Sequence, residues 1–294
     1  MTRFCVALLT LSIFPCLPAF AQQTGKARAL FAADYQKKTA AVLNKDSSVR
    51  WSIPIRDIHD AQWLPNGHWL LQTSFGEVQE VDSAGRNVWT YRPTPNPGVT
   101  KVEIHAFRRL SSGETMIAES GNAQLVFLDR DRNPTTKIKL QVNNPHPHRD
   151  TRLVRPTPRD TFLVCHEGDM ALREYDRLGS VVWEYAIGSK AYSAVRLENG
   201  NTLIGTGDGH RVVEVNAAKE TVWEVKENDL PGIKLAWITM VARLPSGNTW
   251  IVNCHAGPEN PQILEVTPAK QVVWSFKDFE RFGNSLPVAV PLDE

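Results

Sequence analysis

The chain has 294 residues, of which 42% are hydrophobic, 22% charged and 9% aromatic, so it can bury a large core and is neither disordered nor fibrous. Lysine and arginine total 33 against 32 acidic residues, and this balance argues against a nucleic-acid-binding or anionic-lipid-binding protein. Nine Trp, 19 Pro and 18 Gly predict many short strands joined by tight turns rather than long helices.

The N-terminus has the pattern of a secretory signal peptide. Arg3 precedes an uncharged, mostly apolar run over residues 4–14, and Ala19 and Ala21 have the small-x-small spacing of a signal-peptidase site. The apolar run is too short to cross a bilayer as a helix. We therefore predict a signal peptide over residues 1–21, no membrane insertion, and a periplasmic or extracellular protein with one domain over residues 22–294.

Two cysteines remain after this cleavage, Cys165 and Cys254. An exported protein can form one disulfide between them. Both lie in apolar, strand-like runs, which favours two buried free thiols instead.

A repeat organises the rest of the chain. Residues 78–91 recur as residues 172–185, 212–225 and 263–276, each with an apolar strand, a turn, and a second strand with Trp seven residues after the turn residue. The turn–Trp pairs are Asn44 and Trp51, Asp82 and Trp89, Asp176 and Trp183, Asn216 and Trp223, and Thr267 and Trp274, with a degenerate copy at Asp129. The turn residues are 38 to 51 positions apart, which is the period of a four-stranded propeller blade. Six blades are therefore predicted, with the Trp rings packed between adjacent blades.

A second hairpin belongs to each blade, and one copy is incomplete. Hairpins with a glycine turn occupy residues 64–71, 110–117, 197–204 and 244–251, with a looser copy at residues 156–163. Residues 285–291 resemble the strand before such a turn, and residues 29–32 resemble the strand after it. We therefore predict an all-β, six-bladed propeller of four-stranded blades, whose closing blade is shared by N-terminal and C-terminal strands.

The repeats resemble two known families. Residues 80–89, EVDSAGRNVW, are similar to the Trp-bearing motif of quinoprotein-type, or PQQ-like, propeller repeats. Residues 183–185, WEY, followed by residues 197–203, LENGNTL, are similar to repeats of bacterial arylsulfotransferases, which have a six-bladed propeller. The quinoprotein resemblance implies eight blades, a calcium ion and an adjacent cysteine pair beside the quinone, and this chain has no adjacent cysteines. We therefore expect no PQQ and no other cofactor.

The repeat register predicts a ring of polar side chains around the central channel. His59 and His105 each lie five residues before the leucine that opens an inner hairpin, near the start of a channel-lining strand. The same count in the other blades gives Thr151, Tyr192, Thr239 and Ser285, with His148 close to Thr151. Imidazoles with hydroxyls suit an anion or a sugar. The wet mouth of a channel also accommodates polar residues that have no specific role.

These residues leave two functions open. The first is an exported propeller that binds a small polar ligand, a glycan or another protein at its channel face without turnover. The alternative follows from the arylsulfotransferase resemblance, which implies a channel histidine, His59 or His105, as the covalent sulfate carrier. No second catalytic motif accompanies the histidines, so binding is the preferred interpretation.

No metal site is predicted. His146 and His148 are metal-ligating residue types, but no carboxylate or Cys lies near them at a strong ligand spacing. Residues 129–133 alternate oxygen-bearing side chains like a calcium loop, yet Pro134 stands where the sharp turn needs glycine. A hairpin explains that segment better.

Overall fold

Six antiparallel sheets form the six predicted blades. The structure is a computed structural model that describes residues 21–292. The predicted signal peptide, apart from Ala21, lies outside the described residues. In chain order the strands are β1 (Gln22–Thr24), β2 (Leu30–Asp34), β3 (Thr39–Leu43), β4 (Val49–Pro54), β5 (Ala61–Trp63), β6 (Trp69–Ser74), β7 (Glu77–Val81), β8 (Asn87–Tyr91), β9 (Glu103–Arg109), β10 (Thr115–Ser120), β11 (Gln124–Leu128), β12 (Pro134–Lys139), β13 (Val154–Pro156), β14 (Phe162–His166), β15 (Ala171–Tyr175), β16 (Val181–Ala186), β17 (Ser193–Arg196), β18 (Thr202–Gly205), β19 (Val212–Val215), β20 (Thr221–Val225), β21 (Trp237–Arg243), β22 (Thr249–Cys254), β23 (Ile263–Val266), β24 (Val272–Lys277) and β25 (Val288–Pro291), with one short helix, α1 (Phe279–Phe282), before β25.

Blade 1 closes the ring with strands from both ends of the described chain. Its order is β25-β2-β3-β4, and β25 pairs antiparallel with β2 from Ala33 opposite Val288 to Leu30 opposite Pro291. Blades 2 to 5 each take four consecutive strands, from β5 to β20, and β21 to β24 form blade 6. The predicted closure, with one C-terminal and three N-terminal strands, is confirmed.

Blade 6 has a fifth strand that the repeat did not predict. β1 pairs with the outermost strand β24, so Gln22 lies opposite Lys277 and Thr24 opposite Ser275. The side chain of Gln23 links these ends further, because its Oε1 accepts a hydrogen bond from Trp274 Nε1 at 3.1 Å. The N-terminal and C-terminal parts of the described chain therefore pair with each other in blade 6 and again in blade 1.

The hydrophobic core lies between neighbouring blades. Most of the middle strands are buried along their whole length, as in β2, β14 and β15, because a blade packs on each face of the sheet. One cluster joins Leu163 and Cys165 of blade 4 to Ile204 and Val213 of blade 5. Cys165 and Cys254 are both buried and free, which confirms the prediction of two thiols.

The repeated Trp residues are less buried than predicted. Trp274 is 1% exposed, whereas Trp51, Trp89, Trp183 and Trp223 are half-buried. Each of these four lies in the fourth strand of its blade, which is the outermost strand and leaves part of the ring open to solvent.

Arginines of the next blade cover two of these rings and pair with glutamates beside them. The guanidinium of Arg196 lies 4.7 Å from the centre of the Trp183 ring, and Arg243 lies 5.5 Å from that of Trp223. Each arginine also pairs with the glutamate directly opposite that Trp in the sheet. Four ion pairs of this kind join neighbouring blades: Arg109 with Glu80, Arg196 with Glu174, Arg243 with Glu214, and Arg28 with Glu265.

The described residues contain a single short helix. α1 spans four residues, with the carboxylate of Asp278 accepting a hydrogen bond from the backbone N–H of Arg281. Within residues 21–292, no helix has the length and apolar character needed to span a lipid bilayer.

Removing β25 should abolish cooperative unfolding. A chain without residues 285–294 loses the pairing with β2, leaves the edge of β2 unpaired and removes the buried side chains of Val288 and Ala289 from the core. Urea denaturation followed by tryptophan fluorescence should show a broad transition or none. The matched control removes residues 22–24, which form a peripheral edge strand, and should keep a cooperative transition with a lower midpoint. An unchanged transition without residues 285–294 contradicts the closure.

The two classes of Trp should differ in their contribution to stability. Trp274→Ala removes a fully buried ring and should lower the free energy of unfolding by about 3–5 kcal/mol. Trp183→Ala removes a half-buried ring and should lower it by about 2 kcal/mol, because less apolar area returns to water. Urea denaturation of both variants measures the difference. Equal losses of unfolding free energy in the two variants would show that the solvent exposure of the ring does not determine its contribution to stability.

Candidate functional site

The inner hairpins fix which residues occupy equivalent positions in each blade. Each hairpin is closed by a backbone hydrogen bond from its first residue to the residue four positions on: Leu64 to His68, Leu110 to Glu114, Leu197 to Asn201, and Leu244 to Asn248, at 2.8 to 2.9 Å. Five positions before these residues lie His59, His105, Tyr192 and Thr239. The register used to choose the candidates therefore holds in four blades.

Blade 4 corrects one candidate. There the equivalent hydrogen bond runs from Thr157 N to Thr161 O at 2.8 Å, so the hairpin opens at Thr157 rather than Pro156. The residue at the channel position is Arg152, not Thr151. Thr151 is buried, and its backbone N–H donates to Ser120 Oγ at 3.3 Å. The looser hairpin lacks the glycine that marks the turn elsewhere, which explains the error of one position.

His59 and His105 contact each other directly. Their Nδ1 atoms are 2.5 Å apart, and their rings stack with centroids 4.6 Å apart. One nitrogen of such a pair must carry a proton and the other must accept it, so the two facing Nδ1 atoms are in opposite states. His59 precedes β5 of blade 2 and His105 lies in β9 of blade 3, so the contact joins the innermost strands of two neighbouring blades.

The pair is buried rather than wet. His59 is 5% exposed and His105 is fully buried, which corrects the expectation of a solvated channel mouth. Burial is the main cause that lowers the pKa of His59 well below its ordinary value, and the neighbouring His105, Arg152 and His148 lower it further. Burial likewise lowers the pKa of His105 to about 3, although its hydrogen bond to Glu103 acts in the opposite direction. Both imidazoles are neutral at physiological pH.

The position of Arg152 indicates which ring nitrogens of this pair carry protons. Its Nη1 lies 3.2 Å from His105 Nδ1 and 3.5 Å from His59 Nδ1, and its Nε pairs with the buried carboxylate of Glu167. A guanidinium only donates hydrogen bonds, so the nearer nitrogen, His105 Nδ1, is the acceptor. His59 Nδ1 then carries the proton between the rings, and His105 carries its own proton on Nε2.

Glu103 accepts hydrogen bonds from both His105 and His148. Its Oε2 lies 3.1 Å from His105 Nε2 and 2.5 Å from His148 Nδ1, while its Oε1 pairs with Lys101 Nζ at 2.5 Å. Burial alone would raise the pKa of Glu103, but the hydrogen bonds from His105, His148 and Lys101 outweigh it and lower that pKa strongly. Glu103, His105, His148, His59 and Arg152 are called the channel cluster below.

Sequence reasoning missed Glu103 and Arg152. Glu103 begins β9 two residues before His105, and alternate residues of a strand share a face, so this spacing was a usable signal. Tyr192 was predicted and lies beside the cluster, with its ring centroid 5.6 Å from that of His59 and 5.5 Å from the Arg152 guanidinium. Phe75, which was not predicted, contacts the three imidazoles with ring centroids 4.7 to 5.2 Å away.

Two other candidates make different contacts. Thr239 is buried, and its Oγ1 lies 3.5 Å from Val252 O in its own sheet. Ser285 is engaged in ring closure, because its backbone N–H donates to Asp34 Oδ2 at 2.7 Å. His166, a weaker candidate, is a core histidine between Asp150 O and Tyr175 Oη.

A second charged group lies beside the channel cluster. Asp60, which follows His59, is fully buried and pairs with Arg108 of blade 3 at 2.8 Å and Arg155 of blade 4 at 2.9 Å. Burial lowers the pKa of Arg108 to about 10, and the nearby Arg155 lowers it too, but the group stays charged at neutral pH. Two arginines facing one carboxylate leave an excess positive charge close to the axis.

Comparison with known proteins shows the family and the fold. Residues 23–248, more than half of the chain, match the Mal s 1 allergenic protein-like family. The chain belongs to that family. No curated protein matches the sequence. The family differs from the two that the repeats resemble, so the quinoprotein resemblance stays a prediction.

Solved structures share the propeller fold of this Mal s 1-like chain. A Bacteroides caccae protein of unknown function has a TM-score of 0.80 at 21% identity, covering 91% of this chain and 100% of that one. A streptogramin B lyase structure has a TM-score of 0.63 at 8% identity, covering 93% and 98%. An inactive virginiamycin B lyase from Staphylococcus aureus with quinupristin has a TM-score of 0.61 at 9% identity, covering 90% and 89%. Identities this low establish the fold alone.

The buried imidazoles should make stability depend on pH. The pKa values of His59, His105 and His166 are all lowered in the folded chain, to about 3 for His105 and about 4 for His166. As pH falls from about 6.5 toward 4, the imidazoles of the unfolded chain bind protons and the buried imidazoles of the folded chain do not, so the free energy of unfolding falls. The slope should reach about 1.4 kcal/mol per pH unit for each imidazole.

Urea denaturation between about pH 7.5 and 5 measures this slope. His59→Gln should reduce it, because one buried imidazole is removed. The control His210→Gln changes an exposed ring and should keep the parent's slope. A slope that is the same in all three proteins contradicts the assignment of neutral, buried rings.

Proposed function

We propose that this protein is exported and binds a small anionic ligand at its channel face, through the channel cluster, without chemical turnover. The observation that carries this proposal is the convergence of His59, His105, Arg152 and Tyr192, from equivalent positions of four consecutive blades, into one set of contacting side chains. The signal-peptide pattern of residues 1–21 supports export.

The charge of the region favours an anion. Arg152, Arg108 and Arg155 lie close to the axis, and the two carboxylates that pair with them are Glu167 and Asp60. The formal charges of these five groups leave one positive charge, and the charges of Glu103 and Lys101 cancel each other. The neutral imidazoles of His59 and His105 add hydrogen-bonding nitrogens of either polarity, which suits an oxyanion or a polyhydroxy acid.

Burial of these groups is itself an argument for binding. Moving a guanidinium and its carboxylate out of water costs free energy that an apolar pair of similar volume would not. A stable propeller needs no such group at its axis, so a ligand that uses it is the simplest reason for its presence. His148 is 37% exposed on its side chain and marks where the cluster meets solvent.

Binding is preferred to sulfuryl transfer for a structural reason. His59 Nδ1 and both nitrogens of His105 are engaged in hydrogen bonds within the cluster. A histidine nucleophile needs a free lone pair directed at its substrate. His105 would have to open these contacts before it could react, so the sulfotransferase alternative would have to use His59 Nε2.

Thermal shift and calorimetric titration with sulfate, phosphate, citrate, a monosaccharide and a sugar acid test the proposal, with a chelator present throughout. At least one anion should raise the melting temperature of the parent, and His59→Gln/His105→Gln should bind it about tenfold or more weakly. The control His166→Gln removes a buried imidazole outside the cluster and should bind like the parent.

Three results would overturn the proposal. Equal affinity in the double variant and the parent removes the channel cluster from the site. Binding of the neutral sugar alone rejects the charge argument. Release of p-nitrophenol from its sulfate ester, lost on changing either His59 or His105, replaces binding by the sulfotransferase alternative.

A further inference from the structure

We propose that Glu103, His105 and His148 bind one divalent transition-metal ion, with zinc as the best match to the donor set. Each of the three residues offers one ligand atom, and these atoms lie within 4.8 Å of one another. Two imidazoles with one carboxylate are a known set for zinc and for other first-row divalent metals. This inference goes beyond the anion site and does not depend on it.

The geometry needs only small movements. Ligands about 2.1 Å from a tetrahedral ion are about 3.4 Å from each other. Glu103 Oε2 already lies 3.1 Å from His105 Nε2, and 2.5 Å from His148 Nδ1. His148 lies in the segment between β12 and β13 and has a half-buried side chain, so it is the ligand best able to adjust. His105, fully buried in β9, is the fixed one.

Neighbouring groups hold the ligands as metal sites require. Lys101 Nζ pairs with Glu103 Oε1, so the other carboxylate oxygen is directed at the two histidines. A metal-bound imidazole usually donates its second N–H to a polar group, and His105 Nδ1 faces His59 Nδ1 at 2.5 Å. His59 is therefore a positioning residue for the ion's buried ligand.

The rings can bind a metal ion with no net change in the number of protons that they carry. Without metal, His105 carries its proton on Nε2 and donates to Glu103, as Arg152 dictates. With metal, the proton between the rings moves from His59 Nδ1 to His105 Nδ1, the Nε2 proton of His105 is released to solvent, and His59 takes up one proton on Nε2. His148 gives up the Nδ1 proton that it donates to Glu103 and carries its proton on Nε2 instead. All three imidazoles are neutral in this arrangement, which is the ligand form.

The site leaves one coordination position vacant and is accessible from solvent. The three residues supply three ligands, and a tetrahedral ion keeps its fourth position for water or another ligand. His148 and Lys101 are 37% and 63% exposed on their side chains, so an ion reaches the site from that side. The formal charges of Glu103 and Lys101 cancel, so a bound ion carries its two positive charges undiminished and favours an anion in that position.

Metal titration of the tag-free full chain tests the site. Chelator-treated protein is titrated with zinc chloride by calorimetry, and with cobalt(II) by visible absorption, in a buffer without coordinating anions. One equivalent should bind, with cobalt bands of a four- or five-coordinate site and a raised melting temperature. His148→Ala should weaken binding by about 100-fold or more, and His59→Phe by about tenfold to 100-fold.

A matched control is available on the same chain. His68 and Glu80 also form a histidine–carboxylate pair, at 2.7 Å, and His68→Ala should leave zinc affinity unchanged. Circular dichroism shows whether each variant keeps the parent's fold. The inference is overturned if the parent binds no stoichiometric ion, if His148→Ala binds as well as the parent, or if His68→Ala loses as much affinity. Anion binding is measured with a chelator present, so each proposal can fail while the other stands.

Discussion

Pairing of β25 with β2 is the constraint on which the rest of the structure depends. Four residue pairs, from Leu30 with Pro291 to Ala33 with Val288, turn a row of six sheets into a ring. A ring places the first strand of every blade beside a common axis, so equivalent residues of different blades become neighbours. The loop-closure entropy of joining distant parts of the chain is offset by burying Val288 and Ala289 and by removing two free sheet edges.

The channel cluster shows what that geometry makes possible. His59, His105 and Arg152 are far apart in the sequence, yet each enters its blade at the same register. The ring brings their nitrogens to within 2.5 to 3.5 Å. Burial keeps the imidazoles neutral, and the ion pairs of Arg152 with Glu167 and of Glu103 with Lys101 balance the fixed charges. A neutral, hydrogen-bonded and partly accessible cluster of this kind is suited to a polar ligand or to a metal ion.

The sequence periodicity predicted the fold because each repeat forms one blade. The turn-to-Trp spacing gave six blades, and the incomplete hairpin gave the shared closing blade. Periodicity failed where a blade departs from its pattern. Blade 4 lacks the glycine turn, so the register moved by one position and Arg152 was missed in favour of Thr151. β1 lies outside the repeat and left no signal, although it extends blade 6.

The site was only partly predictable for a related reason. Register identifies residues at the same height in different blades, which is why His59, His105 and Tyr192 were found. Glu103 lies two residues before His105, at the start of β9. Glu167 follows the last residue of β14 and joins the cluster through Arg152. Neither residue lies at the register position from which the candidates were chosen, and a sequence does not show which side chains meet across an axis.

The state of the His59–His105 pair tests this account most directly. Long-range proton–nitrogen NMR spectra of the histidine side chains at about pH 5 report which ring nitrogens carry protons. We predict two neutral rings, a proton on His59 Nδ1 and on His105 Nε2, and a proton-free His105 Nδ1, in protein treated with a chelator. A positively charged ring at either position, or two rings that exchange freely with solvent, would show that the channel cluster is not the buried, neutral site described.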